Sequence, residues 1–412
     1  VSNVNTITQL GDKALMARCG NRTITGEFYD DIITNLGNAG TANTCSPFIR
    51  QLSMTGVSLP NLIKMVGNSS KNAGFAYCVN LKNVSLPSLT SVEYQYGGFN
   101  GCTSLEEINL PSLTSTLLYM FEGCTSLHSV SLPKVKSLAR YTFKDCTALT
   151  EISLPGVTSL SSDAFTGCTN LQKATFAGVT TLTGSNNWNT KIFNNCPGLS
   201  EVCFPNLTAY STNNQTGGLL GNTAGITDIL PHMFPLLTTI SGNYGCQGTP
   251  NLRRFILFAL TSHYDYRSFH ECRNKLRIYR APNAGIGSET FSLVGNQSWP
   301  VLRLLDFRTI SDNTIPANFL QTPTNLSVMI IRKKDGIVGL ASASGRFVTQ
   351  SKLKSGGAGM DIYVPADLVS AYEEDTNWSV LGSNGYGTAR FHAIEGSAYE
   401  NIDYDFDTMM ED

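Results

Sequence analysis

The sequence predicts an α/β solenoid of about twelve turns, stacked so that their strands form a parallel β-sheet. Three observations lead there. Cysteines recur every 22 residues at Cys102, Cys124, Cys146 and Cys168. The segments around them are near copies, as MFEGCTSLHSVSLPKVKSL, TFKDCTALTEISLPGVTSL and AFTGCTNLQKATFAGVTTL show. Typically an aromatic residue is followed by Cys at three positions on, Leu at six, Ile or Val at nine, Leu or Phe at eleven, Pro at twelve and Leu or Val at fourteen.

The turns can be taken in order. Residues 1–47 form an N-terminal cap or a degenerate repeat. The run EFYDDIITNLG spaces Phe28, Ile32 and Leu36 as a helix would, which favours a cap. Phe48 opens the first copy, with Gln51 in the Cys slot. Clear copies open at Phe75, Phe99, Phe121, Phe143, Phe165 and Phe193. Worn copies follow at Cys246, Phe269, Phe291 and Phe319, so the solenoid spans 48–340 and is most regular over 75–210. Turns lengthen to about 27–28 residues around TGSNNWNTKI and TAYSTNNQTGGLLGN, which predicts bulging loops. Residues 341–397 read as a C-terminal cap. Within it VPADLVSAY places Pro365 at a helix start and Leu368, Val369 and Tyr372 on one face. Residues 398–412 form an acidic tail.

One turn explains its own pattern. LxxIxLP alternates apolar and polar side chains, a short strand with one buried face. The proline has no amide hydrogen to give and ends the ladder. The small polar run before the strand, DCTA or GCTS, is turn chemistry. About 22 residues cannot close a core alone, so stability comes from neighbours covering each other's apolar edges.

These residues carry a family likeness. The pattern FxxCxxLxxIxLPxL resembles the BspA-like leucine-rich repeat, a bacterial subclass also found in some parasitic protists. The resemblance implies a right-handed superhelix with its parallel sheet on the concave face. It also implies a secreted or surface-attached protein, several relatives being adhesins or ligand binders.

Composition narrows the functions. Hydrophobic residues make up 41% of the chain, and charged residues only 15%, below the roughly 25% usual in soluble domains. A net charge of −2 offers no footprint for nucleic acid. No apolar run is long enough to span a membrane, and neither a signal nor an anchor is evident in the sequence. No CxxC spacing, phosphate loop, nucleophile elbow or HExxH helix occurs, so the sequence calls for no metal or cofactor.

Residues in one repeat slot stack into a row, so Cys78, Cys102, Cys124, Cys146, Cys168 and Cys196 form a structural ladder. A disulfide needs Cβ atoms about 3.8 Å apart, and a parallel ladder holds them wider, so free thiols are expected. Cys203 falls on an outward position. The cluster SHYDYRSFHEC offers zinc-ligand types, but Cys272 already has an inward slot and its polar neighbours are expected on a wet turn.

Candidate binding residues are Arg254, Arg277 and Tyr279, read as outward on the concave face, because arginine and aromatic side chains are enriched at binding hot spots. Trp188, Tyr264 and Tyr266 are candidates on loops. The expected function is a non-enzymatic surface or secreted monomer that binds a host or neighbouring-cell protein or glycan. The alternatives are a hydrolase with a site in the irregular C-terminal half and a structural surface-layer component.

Overall fold

The computed structural model describes residues 26–29, 35–36, 48, 50–66, 74–93, 96–183, 191–212, 220, 223–243, 248–291, 298–320, 323–349, 351–354, 357–382 and 389–402 of the 412. They form a parallel β-solenoid that divides into two compact units. The first holds residues 1–180 and 190–204, the second 181–189 and 205–412.

In the first unit each regular turn places a three-residue strand at the alternating segment. Glu107–Asn109 pairs in parallel with Ser129–Ser131, and Glu151–Ser153 with Lys173–Thr175 and then Glu201–Cys203. Ile152, Ala174 and Val202 stand in register. The central residue faces the core and its two neighbours face out, as in Glu107–Asn109, where only Ile108 is buried. After the proline position comes a second ladder that the sequence reading lacks. Lys64–Val66 pairs with Ser91–Glu93, and Ser137–Leu138 with Ser159–Leu160. A threonine just before this ladder ties turns together. The Thr90 hydroxyl donates to the Ile63 carbonyl at 3.1 Å, that of Thr114 to Thr90 at 3.2 Å and that of Thr158 to Lys136 at 3.2 Å.

The aromatic slot builds the spine of this unit. Phe48, Phe75, Phe99, Phe121, Phe143, Phe165 and Phe193 are fully buried. Successive rings stack at centroid distances between 5.0 and 5.6 Å, within the range where offset aromatic pairs attract. Two residues after each ring the backbone turns left-handed. Gly101, Gly123 and Gly167 fill that position, but so do Tyr77 (φ 60°), Asp145 (φ 59°) and Asn195 (φ 56°). The inter-turn hydrogen bond holds them there: Tyr77 N–H donates to the Asn100 carbonyl at 2.7 Å, and Asp145 N–H to Thr166 at 2.8 Å.

Gly26–Tyr29 pairs in parallel with Met54–Ser58, and Asn35–Leu36 with Lys64–Val66. Phe28 and Leu36, spaced in the sequence as on one helix, thus lie on two strands that each extend a ladder of the solenoid.

In the second unit the two ladders merge into an eleven-stranded sheet. The merger happens at Ile278–Ile286, whose first part pairs with Arg254–Ile256 and whose last part pairs with Ser262–Tyr266. Pro282 has no amide hydrogen, and register against Leu304–Ile310 shifts between Ala281 and Gly285. The sheet continues through Val328–Ile331, Met360–Val364 and Ala389–Ala393. Between the last two strands lies the short helix Val369–Glu374. Its buried Tyr372 hydroxyl accepts from Val338 N–H at 2.8 Å, and the Trp378 indole donates to the Val338 carbonyl at 2.9 Å. No described helix is long and apolar enough to cross a membrane.

Phe143 sits between two stacked neighbours, so Phe143→Ala should remove about 3–5 kcal/mol of stability. Urea unfolding followed by circular dichroism checks this, and a loss under about 1 kcal/mol would contradict the role given to the ring column.

Candidate binding surface

The cysteine slot lies behind the ring column. Each thiol donates to the carbonyl of the aromatic residue that opens the preceding turn. Cys78 reaches Phe48 at 2.8 Å, Cys102 Phe75 at 3.1 Å, Cys124 Phe99 at 3.2 Å, Cys146 Phe121 at 3.2 Å, Cys168 Phe143 at 3.0 Å and Cys196 Phe165 at 3.0 Å. All six are buried and reduced. Burial pushes the Cys78, Cys124 and Cys196 thiols up to about 12. Thiolates are the nucleophiles and metal ligands, so this row has no chemistry to offer at neutral pH. Cys203, on the outward side, is pushed up to about 11 by partial burial and by its bond to Glu201.

The zinc-type cluster resolves differently from its reading as a wet turn. His263 falls in the inward slot of the second ladder, opposite Ile240, and is fully buried. Its Nδ1 lies 2.9 Å from the Tyr279 hydroxyl and its Nε2 3.3 Å from the Ser268 hydroxyl. Burial drives its pKa down to about 3, so the ring is a neutral core member. Among the described residues, no three His, Cys, Asp or Glu side chains group as metal ligands.

Tyr279 needs a correction. It was expected to face outward, yet it is fully buried, stacked on Phe255 at 5.2 Å. The cause is one extra residue in its turn. In a regular turn the Cys carbonyl accepts from the amide three residues on, as Cys102 does from Leu105. The Cys272 carbonyl accepts from both Lys275 and Leu276 at 2.8 Å. The added residue shifts the strand by one position and swaps its faces. Ile278 and Arg280 take the outward positions instead, opposite Arg254 and Ile256.

The same shift carries Arg277 to the rim, just before the strand. There it aligns with Arg253 and Arg303. Arg277 N–H donates to the Arg253 carbonyl at 2.8 Å, and Arg303 N–H to Arg277 at 2.8 Å. Three successive turns therefore carry arginine in one rim slot. Asp228 is the carboxylate at one end, 2.6 Å from Arg254 and 3.5 Å from Arg253. Arg277 is exposed, and its guanidinium has no hydrogen bond or ion pair among the described residues. Like charges this close raise the local positive potential.

The two loop tyrosines lie on a strand, Ser262–Tyr266. Tyr264 is 46% exposed, while the Tyr266 side chain and all of Trp188 lie outside the described residues. In the irregular half, Asp228, Asp306 and Asp361 are each held by arginine.

Residues 68–200 match the sequence model of the BspA type leucine rich repeat region, in six copies. Solved structures with similar folds include a leucine-rich repeat protein from Bacteroides ovatus, at 17% identity over 85% of this chain and 86% of that one, with a TM-score of 0.37. A leucine rich cell surface protein from Faecalibacterium prausnitzii is 17% identical over 93% and 82%, with a TM-score of 0.32. The pneumococcal vaccine antigen PcpA is 13% identical over 90% of each chain, with a TM-score of 0.34. No curated protein matches the chain.

The buried thiols predict alkaline lability. Their folded pKa values lie above that of an unfolded cysteine, so their contribution is intact below pH 9 and falls as pH rises from about 9 towards 12. Each thiol should cost about 1.4 kcal/mol per pH unit across that window. Urea midpoints at pH 8 and pH 10 test this, and an unchanged midpoint would refute the buried donor row.

Proposed function

We propose that the protein, whose residues 68–200 match the BspA type leucine rich repeat region, is a non-enzymatic surface or secreted scaffold, an adhesin that binds an acidic protein surface or acidic glycan through its second unit. The column Arg253, Arg277 and Arg303 carries this reading. Arginines in one slot of adjacent turns match a partner with repeating carboxylate or sulfate groups, since a guanidinium can grip such a group with two parallel hydrogen bonds. The outward residues of the first unit, such as Asn109, Ser131 and Ser153, add a polar surface without concentrated charge. Tyr279 plays no direct part, since its removal would open the core rather than a contact.

The test is a binding screen against matrix proteins, mucins and an acidic glycan array, comparing the natural chain with the triple variant Arg253→Ala, Arg277→Ala and Arg303→Ala. The expected result is a hit weakened at least tenfold in the variant and steeply by added salt. A hit that survives the triple substitution at full strength would remove the arginine column from the site.

A further inference from the structure

The outward sheet face of the second unit is not open like that of the first. Ile256, Ile278, Leu304 and Ile330 face outward there, yet all are buried. Beside them lies an ionic group of equal burial. Asp306, fully enclosed, is gripped by Arg332 through two bonds of 2.7 and 3.0 Å and lies 3.8 Å from Arg280. What covers this face is the chain itself. After the strand Ala389–Ala393, Ile394 folds onto the aliphatic cluster. A tight turn follows, closed by Ser397 N–H donating to the Ile394 carbonyl at 3.0 Å and opened by Gly396 at φ 77°. The chain then crosses back over the strands. Tyr399 packs edge-on against Tyr363 at 4.5 Å. Its carbonyl accepts from Arg332 at 2.9 Å, and three residues on the Ile402 carbonyl accepts from Arg280.

Ile394 N–H donates to the Val364 carbonyl at 2.9 Å, and beyond it this crossing segment adds no strand among the described residues. It is held by side chains gripping main-chain carbonyls, by the Glu395 carboxylate accepting from Ala366 N–H at 2.8 Å and by one aromatic residue on a tyrosine, much as a protein surface holds an extended peptide. From these contacts we infer that the face is a peptide-binding site. Residues 394–402 occupy it as an internal competitor, and the partner is an extended peptide with an aliphatic residue five positions before an aromatic one, as Ile394 stands to Tyr399. Arg332 and Arg280 read the two carbonyls, Tyr363 the aromatic ring, and Leu304 with Ile330 the aliphatic side chain. An uncovered face would leave apolar surface and a buried ion group wet, so the internal segment keeps the site dry until a competing peptide takes its place. Tethering gives that segment an effective concentration of about a millimolar, so only a matched partner or a weakened tether opens the face. This inference stands on contacts that the arginine column does not share.

A fluorescent peptide of sequence IEGSAYENI, residues 394–402, tests it by anisotropy on the full chain. The chains compared are the natural one, Tyr399→Ala, and the double variant Tyr399→Ala with Ile394→Ala. All site residues stay intact in both variants, and thermal unfolding verifies their fold. The peptide should bind the variants at least tenfold more tightly than the natural chain, and a peptide with alanine at its tyrosine should not compete. Equal binding to all three chains would place the peptide elsewhere, and no binding to either variant would overturn the site. The triple arginine variant leaves every contact named here in place, so its failure and this one are read separately.

Discussion

The hydrogen bond from each cysteine to the carbonyl of the preceding turn's aromatic residue is the constraint on which the regular solenoid depends. That carbonyl already accepts from the amide three residues on in its own turn, as Phe75 does from Cys78 N–H at 3.2 Å, and the thiol of the next turn fills the second lone pair of an oxygen that has no water to bond. The donor must reach across one turn, be small enough to sit under the ring column, and tolerate burial. Cysteine meets all three demands, because its sulfur packs as a small apolar group while its hydrogen still points at oxygen. Bonds of 2.8 to 3.2 Å in six consecutive turns fix the rise between turns. The phenylalanine rings then stack because that rise is already set to suit them.

Departures from this rule mark where the molecule does something else. The Cys272 thiol donates to Phe269 in its own turn, at 3.3 Å. That segment also takes the extra residue that turns Tyr279 inward and brings Arg277 to the rim. Tyr279 then supplies the hydroxyl that meets His263, whose ring burial keeps neutral. One inserted residue thus changes a core and a surface together. The arginine column exists because the shift is kept by the next turn: Leu304 follows Ile278 in register.

Much of this was written in the sequence. The repeat, its parallel strands and the inward cysteine slot all follow from spacing, because stacking converts equal spacing into contact. The second ladder left a trace as well, in short polar-to-apolar triplets past the first strand, such as Thr90-Ser91-Val92, Thr158-Ser159-Leu160 and Thr180-Thr181-Leu182, but two or three residues are too few for alternation to register as a strand. The orientation of Tyr279 was out of reach. Whether an irregular turn absorbs its extra residue before or after the strand is decided by which carbonyl the turn can share, and side-chain pattern does not encode that. The cover over the second unit was hidden for another reason. Residues 394–402 are polar in composition, and their hold comes from carbonyls, which every sequence possesses and none displays.

The two sheet surfaces pose one physical problem and solve it in opposite ways. A parallel sheet with a core on one side must do something with its other side. In the first unit short polar residues meet water directly, which costs nothing and offers little to a partner. In the second unit the outward positions Ile278, Leu304 and Ile330 are apolar, and with them sit two arginines sharing one aspartate. Such a surface is unstable when bare: the aliphatic groups favour burial, and the ion group, already dry, needs its spare donors satisfied. Burial pushes the Asp306 carboxyl up while Arg332 and Arg280 pull it back, so the balance rests on those guanidiniums staying in place. One terminal N–H of each goes to a carbonyl, that of Arg332 to Tyr399 and that of Arg280 to Ile402. A polar face like that of the first unit would have needed no cover at all. That the chain keeps a surface requiring one, and covers it with a segment held at a few points rather than with a paired strand, is the physical argument that the cover is there to be exchanged.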